Sequence, residues 1–424
     1  MRVLSLGEGF GLEFEYMVVD KESLDVRPIV DKLIALEVGE IVNEVEDRDI
    51  GWSNELALHI VELKNLDPLL PFPRLLTGVK AEITQINHHL ENHFQCQLLP
   101  SAMHPWMIPE KDSHLWPYGN QHIYQAYNRI FGCSGHGWTN LQSVHLNFSF
   151  SGGEEFRRLH RAIRLILPLI PVLAASSPYC EGRRGTDLDM RLHVYLNNQK
   201  RIPEISGPLI PEDVDSIEEY EKRILQPMYQ AIAPFDPQGI LQHEWLNSRA
   251  AIPKFKYGCL EIRLMDIQEC PEQDIAIAWF FRSLVECLLA QSWTSEEEQA
   301  LMGSLELKNI LTQSVREASG AIFHEDEWLK NFGVKTKSIS GRELVQELLG
   351  KLAPSSGQSV KTSVKNKNPI GEMDYSRAIQ TIIKEGSLAE RIVKSTGLNP
   401  SRSALKGVYQ ELANCLKRGK SFHA

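Results

Sequence analysis

Residues 11–16 read Gly-Leu-Glu-Phe-Glu-Tyr, inside an extended stretch expected to run over residues 2–20. Leu12, Phe14 and Tyr16 fall on one parity and Glu13 and Glu15 on the other. That alternation reads as a strand with one apolar and one acidic face. Two carboxylates at i and i+2 on a strand point the same way, about 7 Å apart by strand rise. Buried without a partner they repel, and one pKa is pushed up. A divalent cation that prefers carboxylate oxygens, such as Mg2+, removes the conflict. A solvated strand face is the plainer reading of this pair alone. Gly7, Gly9 and Gly11 make no dinucleotide fingerprint, because their spacing is wrong and a strand follows them.

Moving outward, residues 143–150 (SVHLNFSF) repeat the pattern, with Val144, Leu146, Phe148 and Phe150 on one face and Ser143, His145, Asn147 and Ser149 on the other. Residues 259–266 (CLEIRLMD) set Glu261 and Arg263 on one face, a carboxylate suited to a metal and a guanidinium suited to phosphate oxygens. Their plainer reading is an intrastrand ion pair of small value. Residues 41–63 read as further strands broken near Asp49-Ile50-Gly51. Glu62 shares parity with Leu58 and Ile60 and so points inward, where it needs a partner or a metal. Glu55 has the opposite parity, so a bend must intervene if both acids are to reach one site.

Helical spacing marks residues 74–94 (Leu76, Val79, Ile83, Ile86, Leu90), 154–175 and 272–293. Ser295 to Glu298 has capping-box spacing. Residues 353–374, rich in Ser, Lys, Pro and Gly, read as a linker or exposed loop, and 375–424 as a helical tail. Strands come mostly before residue 270 and helices after it, which favours α+β. The expected units are a strand-bearing domain over 1–293, which the likeness described below makes the catalytic one, a helical extension over 294–352, the linker over 353–374, and the tail over 375–424.

The chain has 424 residues, of which 45 are Lys or Arg and 55 Asp or Glu, a formal charge of −10. The acidic balance argues against a nucleic-acid or anionic-membrane binder. The longest apolar run, 165–175, is too short for a membrane span and holds Pro168 and Pro171. Seven scattered cysteines, with no signal-peptide pattern at the start, point to a reducing cytoplasm. A symmetric homo-oligomer is the default expectation for a chain of this size.

The ordered set Gly11–Tyr16, Glu55 with Val61-Glu62-Leu63, His104-Pro105, Tyr127–Arg129, Ser143–Asn147, Ser177-Pro178 with Glu181–Arg183, and Glu261–Arg263 with Asp266 resembles the glutamate–cysteine ligase-like carboxylate–amine ligases, relatives of glutamine synthetase. The likeness covers residues 8–290, with an echo at Gly386–Arg391. It implies a glutamine-synthetase-like domain, a curved antiparallel sheet forming a funnel with helices outside, entered by ATP from one side and the amino acid from the other. It assigns Glu13, Glu15, Glu55, Glu62, His145 and Glu261 to Mg2+, gives catalytic roles to Arg263 and Glu55, and makes Arg263, Asn147, Arg183 and Arg249 candidates for nucleotide or substrate contacts. Several relatives carry a second His where this chain has Asn147, and the linker has no place in the family pattern.

The implied reaction is ATP-dependent. ATP phosphorylates a carboxylate, and an amine displaces phosphate from the acyl phosphate to form an amide. The small-molecule partners are then ATP, a carboxylic amino acid and an amine, with Mg2+ bridging the phosphates. The same acids would also serve a metal-dependent hydrolase, or persist in a non-catalytic nucleotide-binding relative.

Overall fold

In the computed structural model, which describes residues 3–324, 327–352 and 375–424, the alternation around Glu13 becomes strand β1 (Phe10–Asp20). Among the described residues it begins at Phe10 and not earlier, because residues 6–8 form a turn closed by the Glu8 amide on the Ser5 carbonyl. Further strands are β2 (Glu44–Val45), β3 (Ile50–Asn54), β4 (Ile60–Asn65), β5 (Cys96–Leu99), β6 (Ser143–Ser149), the hairpin β7 (Tyr179–Cys180) and β8 (Arg183–Arg184), β9 (Ala251–Lys254) and β10 (Cys259–Asp266). Among the described residues, one eight-stranded sheet has the order β2-β3-β4-β1-β6-β10-β9, with β5 also on β1. Every pairing is antiparallel. β2 and β9 do not pair with each other, so the sheet is open and not a closed barrel.

Register puts the polar positions of four strands on one face. Glu15 lies opposite Glu62 and Glu13 opposite Lys64. On the other side of β1, Glu13 faces His145 and Gly11 faces Asn147. Ser53 faces Glu62, and Glu261 faces Asn147. Cross-strand partners share a face, so these groups form one polar field. The alternate residues Leu12, Phe14, Val61, Leu63, Val144, Leu146, Leu260 and Ile262 are all fully buried in one apolar cluster. Against that face pack helices Phe72–Phe94, Gly152–Ile166 and Pro271–Leu289. The helix expected over 154–175 is interrupted. After Ile166 a 3-10 turn, Leu167–Leu169, leads to a short helix, Ile170–Ala174. Pro168 and Pro171 lack the amide that would continue the ladder.

The segments after residue 294 share this core: Leu307, Leu311, Leu344, Ile379 and Leu416 join the same cluster, so no break in it falls at 293. The expected linker at 353–374 lies outside the described residues. The capping box at Ser295 and Glu298 is present. Helices Leu388–Thr396 and Arg402–Arg418 cover the far half of β1. Met17 and Val19, on the same parity as Glu13 and Glu15, pack there with Leu99, Leu405, Tyr409 and Leu412. The polar face is therefore acidic near the start of β1 and apolar near its end. No helix among the described residues is long and apolar enough to cross a membrane.

The Gly386–Arg391 motif holds this C-terminal layer in place. Gly386 adopts φ +92°, which a side chain would strain. Ser387 and Glu390 form a capping box on the helix that follows. Arg391 then meets Glu269 at 2.6 Å, with both side chains fully buried, and Glu269 also accepts the Phe422 amide at 3.1 Å. Removing one partner of a buried pair strands the other charge. Arg391→Met should therefore lose about 3–5 kcal/mol, read as a lower urea midpoint. Glu269→Leu combined with Arg391→Met should recover most of that loss. A single-variant loss under about 1 kcal/mol would contradict this account.

Candidate active site

Glu13, Glu62 and His145 each offer a ligand atom, all within 4.8 Å of one another, and so do Glu15, Glu55 and Glu62. Glu62 belongs to both groups because β4 lies between β3 and β1, directly opposite Glu15 and Ser53. Its Oε1 accepts the Ser53 hydroxyl at 2.6 Å. Glu55 lies beyond the end of β3, in the turn that leads to β4. That turn supplies the bend which its parity demanded and carries it back to Glu62.

The remaining contacts orient these groups. Glu15 accepts the Ser143 amide at 2.7 Å and its hydroxyl at 3.0 Å. His145 sets Nδ1 3.0 Å from Glu13 Oε2 and Nε2 2.9 Å from Ser143 Oγ. Both ring nitrogens meet oxygens, and although burial opposes it, Glu261, Glu13 and Glu15 raise its pKa. Asn147 donates Nδ2 to Glu13 Oε1 at 3.0 Å. A side chain at Gly11 would place its Cβ 3.2 Å from that of Asn147, a close strand crossing at which Asn147 would have to shift. Burial, then the charge of Glu15, pushes the Glu55 carboxyl up to about 7. Burial with Glu13 and Glu55 raises Glu62 well above the usual carboxylate range. Glu13 is buried too, yet Lys254 and His145 outweigh that and hold it well below the range.

Glu261 takes a different position. It pairs with Lys254 and lies 3.6 Å from Arg263 Nε, and it belongs to neither three-ligand group. Arg263 sits where β10 bulges between Ile262 and Met265. It lines two cavities that meet at the acids. The smaller, about 290 Å3, is walled by Glu15, Tyr127, Trp138, Arg191, Tyr195 and Arg263. The larger, about 800 Å3, is walled by Glu13, Glu62, Asn147, Lys254, Tyr257 and Glu261. Glu55, His145, Trp245 and Arg263 line both. A third, polar opening of about 590 Å3 reaches Glu55 and Glu62 from the β2–β3 side, past Glu44, Asn54 and Asn120.

Two expected arginines lie elsewhere. Arg249 is buried and bound to Glu212 at 2.7 and 2.8 Å, and it borders neither of the two main cavities. Arg183 is exposed on β8 and borders neither. Arg191 is the arginine of that region which reaches the smaller cavity, held by Asp266. Lys254 and Ser53 had no local signal of their own, because strand register alone brings them to the acids, whereas Ser143 shares the polar face of its strand with His145.

The oxygen-rich set fits a hard divalent cation such as Mg2+ or Mn2+, and one imidazole is compatible with the latter. The fit rests on the crowding: Glu15 and Glu62 are buried and Glu13 and Glu55 partly so, and burial together with neighbouring acids displaces the carboxyls of Glu55 and Glu62 upward.

The glutamate–cysteine ligase family 2 model matches residues 9–411. An uncharacterized protein from Archaeoglobus fulgidus is 32% identical over 412 residues, 97% of this chain and 99% of that protein. A putative glutamate–cysteine ligase 2-3 from Rubrobacter xylanophilus is 24% identical over 346 residues, 81% and 83% of the two chains. Among solved structures, glutamate–cysteine ligase from Francisella tularensis in complex with AMP superposes with a TM-score of 0.62 at 13% identity, over 99% of this chain and 90% of that one. The likeness shows that the fold is shared.

The crowding has a measurable consequence. A carboxyl whose folded pKa lies above its unfolded value binds more protons when folded. The metal-free protein should therefore lose stability as pH rises from the ordinary glutamate value of 4.5 through about 7, the Glu55 value, and further where Glu62 ionises. In EDTA at pH 8, Glu62→Gln should melt above wild type, by on the order of 1–3 kcal/mol, and at pH 5 the gap should close. Mn2+ should raise the melting temperature of wild type far more than that of Glu62→Gln. A destabilised Glu62→Gln at pH 8 would mean that the acids do not repel.

Proposed function

The chain belongs to glutamate–cysteine ligase family 2, and with that as premise we propose that it is an ATP- and Mg2+-dependent carboxylate–amine ligase working through an acyl phosphate. The observation that carries the reading is the pair of three-ligand groups sharing Glu62 at the junction of two cavities. The larger cavity has room for a nucleotide, and the smaller suits an amino-acid-sized carboxylate facing Arg191 and Arg263. A carboxylate activated at this junction has phosphate donor and acceptor on opposite sides of the acids. In-line transfer requires that arrangement.

Glu13, Glu62 and His145 would hold one divalent cation, and Glu15, Glu55 and Glu62 a second. Bound there, Mg2+ neutralises phosphate charge and polarises the transferred group. Arg263 faces both cavities and stabilises charge on the phosphoryl group as it crosses between them. Ser53 and Ser143 orient Glu62 and Glu15 through the bonds described above. Tyr127, Trp138 and Tyr195 wall the smaller cavity with apolar surface and limit water, which would hydrolyse an acyl phosphate. Glu55 also borders the third opening, and its carboxylate takes the proton that an attacking ammonium must lose. The polar lining of that opening suits an amine.

The test uses glutamate carrying 18O in its carboxylates, ATP, Mg2+ and a panel of amines. The expected products are ADP, an amide and inorganic phosphate with one 18O. Release of AMP with unlabelled pyrophosphate would overturn the acyl phosphate, and ATP-independent turnover would overturn the ligase reading. Glu13→Gln with Glu62→Gln should lower kcat by about 100-fold or more. An unchanged rate would dismiss these acids from the reaction.

A further inference from the structure

The third opening differs from the two main cavities in its charges. Glu44, Glu55 and Glu62 line it, and Lys64 is the one basic residue among the described residues that do. The Lys64 ammonium lies 2.8 Å from Glu44 and 3.8 Å from Glu62. Burial opposes its charge, yet Glu62, Glu44 and Glu13 together raise its pKa. Three acids thus draw on one lysine. Two neutral donors are spent as well. The Ser53 hydroxyl donates to Glu62 at 2.6 Å, and the Asn54 amide donates to the Glu55 carbonyl at 3.1 Å and the Tyr124 hydroxyl at 3.2 Å. No arginine lines this opening, whereas Arg191 and Arg263 line the smaller cavity.

The chain at its mouth is acidic too. Residues 37–49 hold Glu37, Glu40, Glu44, Glu46, Asp47 and Asp49 against Arg48 alone. Arg48 is taken by Glu37 at 2.6 Å and Glu82 at 2.8 Å. Glu44 and Glu46 are exposed. Glu44 borders both this opening and the larger cavity, and Glu46 borders the larger cavity beside it. On the ligase reading, the positive charge that divalent cations bring to Glu55 and Glu62 is matched by the transferring phosphoryl group. Glu44 and Glu46 belong to neither three-ligand group, so their charge stays. A carboxylate entering here meets like charge and a lysine already claimed, whereas an ammonium meets opposite charge.

We infer that the amine joined at this site is a small diamine without a carboxylate, with its attacking nitrogen beside Glu55 and its far ammonium held by Glu44 and Glu46. The inference rests on the ligase reading and names the class of its amine. An α-amino acid such as cysteine is turned away, because nothing free in the opening balances its carboxylate. Selection of this kind works as much by rejecting the wrong partner as by holding the right one.

Four amines compared with glutamate, ATP and Mg2+, each amide identified by its mass, test this. They are diaminobutane, ornithine (the same diamine carrying one carboxylate), butylamine and cysteine. Wild type should use diaminobutane with a kcat/KM about tenfold or more above each of the other three. Glu44→Gln, confirmed folded by its melting curve, should raise the KM for diaminobutane about tenfold with little change in kcat. It also frees Lys64, so ornithine should gain on diaminobutane. Calorimetry with Mg2+ and a non-hydrolysable ATP analogue should show the same weakening of diaminobutane binding. Ornithine, cysteine or butylamine used as well as diaminobutane, or a diaminobutane KM unmoved by Glu44→Gln, would overturn the diamine and leave the ligase reading standing. Amide from none of the four would overturn the ligase reading and the diamine with it.

Discussion

Mutual repulsion of buried carboxylates is the constraint on which the polar face depends. Glu15, Glu55 and Glu62 bring oxygens within 4.8 Å of one another. At an effective dielectric near 20, each such pair of full charges costs about 3.5 kcal/mol, and three pairs about 10. That is comparable to the whole stability of an ordinary domain. The metal-free protein therefore keeps part of this charge protonated, which is what the upward displacement of Glu55 and Glu62 expresses. A fold that retains so much repulsion must recover stability elsewhere.

It recovers it behind and beside the acids. The opposite face of the same strands is an apolar layer closed by three long helices. Beyond the acids, the polar parity of β1 turns apolar at Met17 and is sealed by the C-terminal helices, themselves held through Arg391 and Glu269. The acids are thus bounded on one side by a dry cluster and on the other by the edge strand with Lys254. Confinement raises the local field, and the same confinement makes the field useful, because charges buried at low dielectric act strongly on a group entering between them.

Much of this was legible from period-two alternation. Glu13 with Glu15, His145 with Asn147, and Glu261 with Arg263 each announce a shared strand face within eight residues of sequence. Their convergence was not legible by that route. It depends on register between strands up to about 130 residues apart, as His145 against Glu13 shows. Family resemblance supplied the grouping that local chemistry could not. Arg249 illustrates the limit: in sequence it looks like any arginine free to clamp an anion, and its partner Glu212 lies 37 residues away. Lys254 illustrates the converse, a charge that an edge strand brings to Glu13 and Glu261 with no sequence pattern around it. The helix expected through residue 175 failed for a local reason that was readable, since Pro168 and Pro171 cannot donate the bonds it needed.

Charge also orders events on the ligase reading. The larger cavity presents Glu13, Glu62 and Glu261 to whatever enters, against Lys254, Lys64 and Arg263. Lys64 is spent on Glu44 at 2.8 Å, and Lys254 and Arg263 on Glu261. The balance left for a polyphosphate is repulsive until divalent cations join Glu62 and its neighbours. Nucleotide and metal must therefore arrive together or metal first. The smaller cavity sets two arginines, Arg191 and Arg263, beside Glu15 and Glu55, so a single entering carboxylate meets less repulsion there than a polyphosphate does in the larger one. The asymmetry between the two cavities follows from where the cations sit: two arginines on one side, and on the other a lysine committed to the acid row.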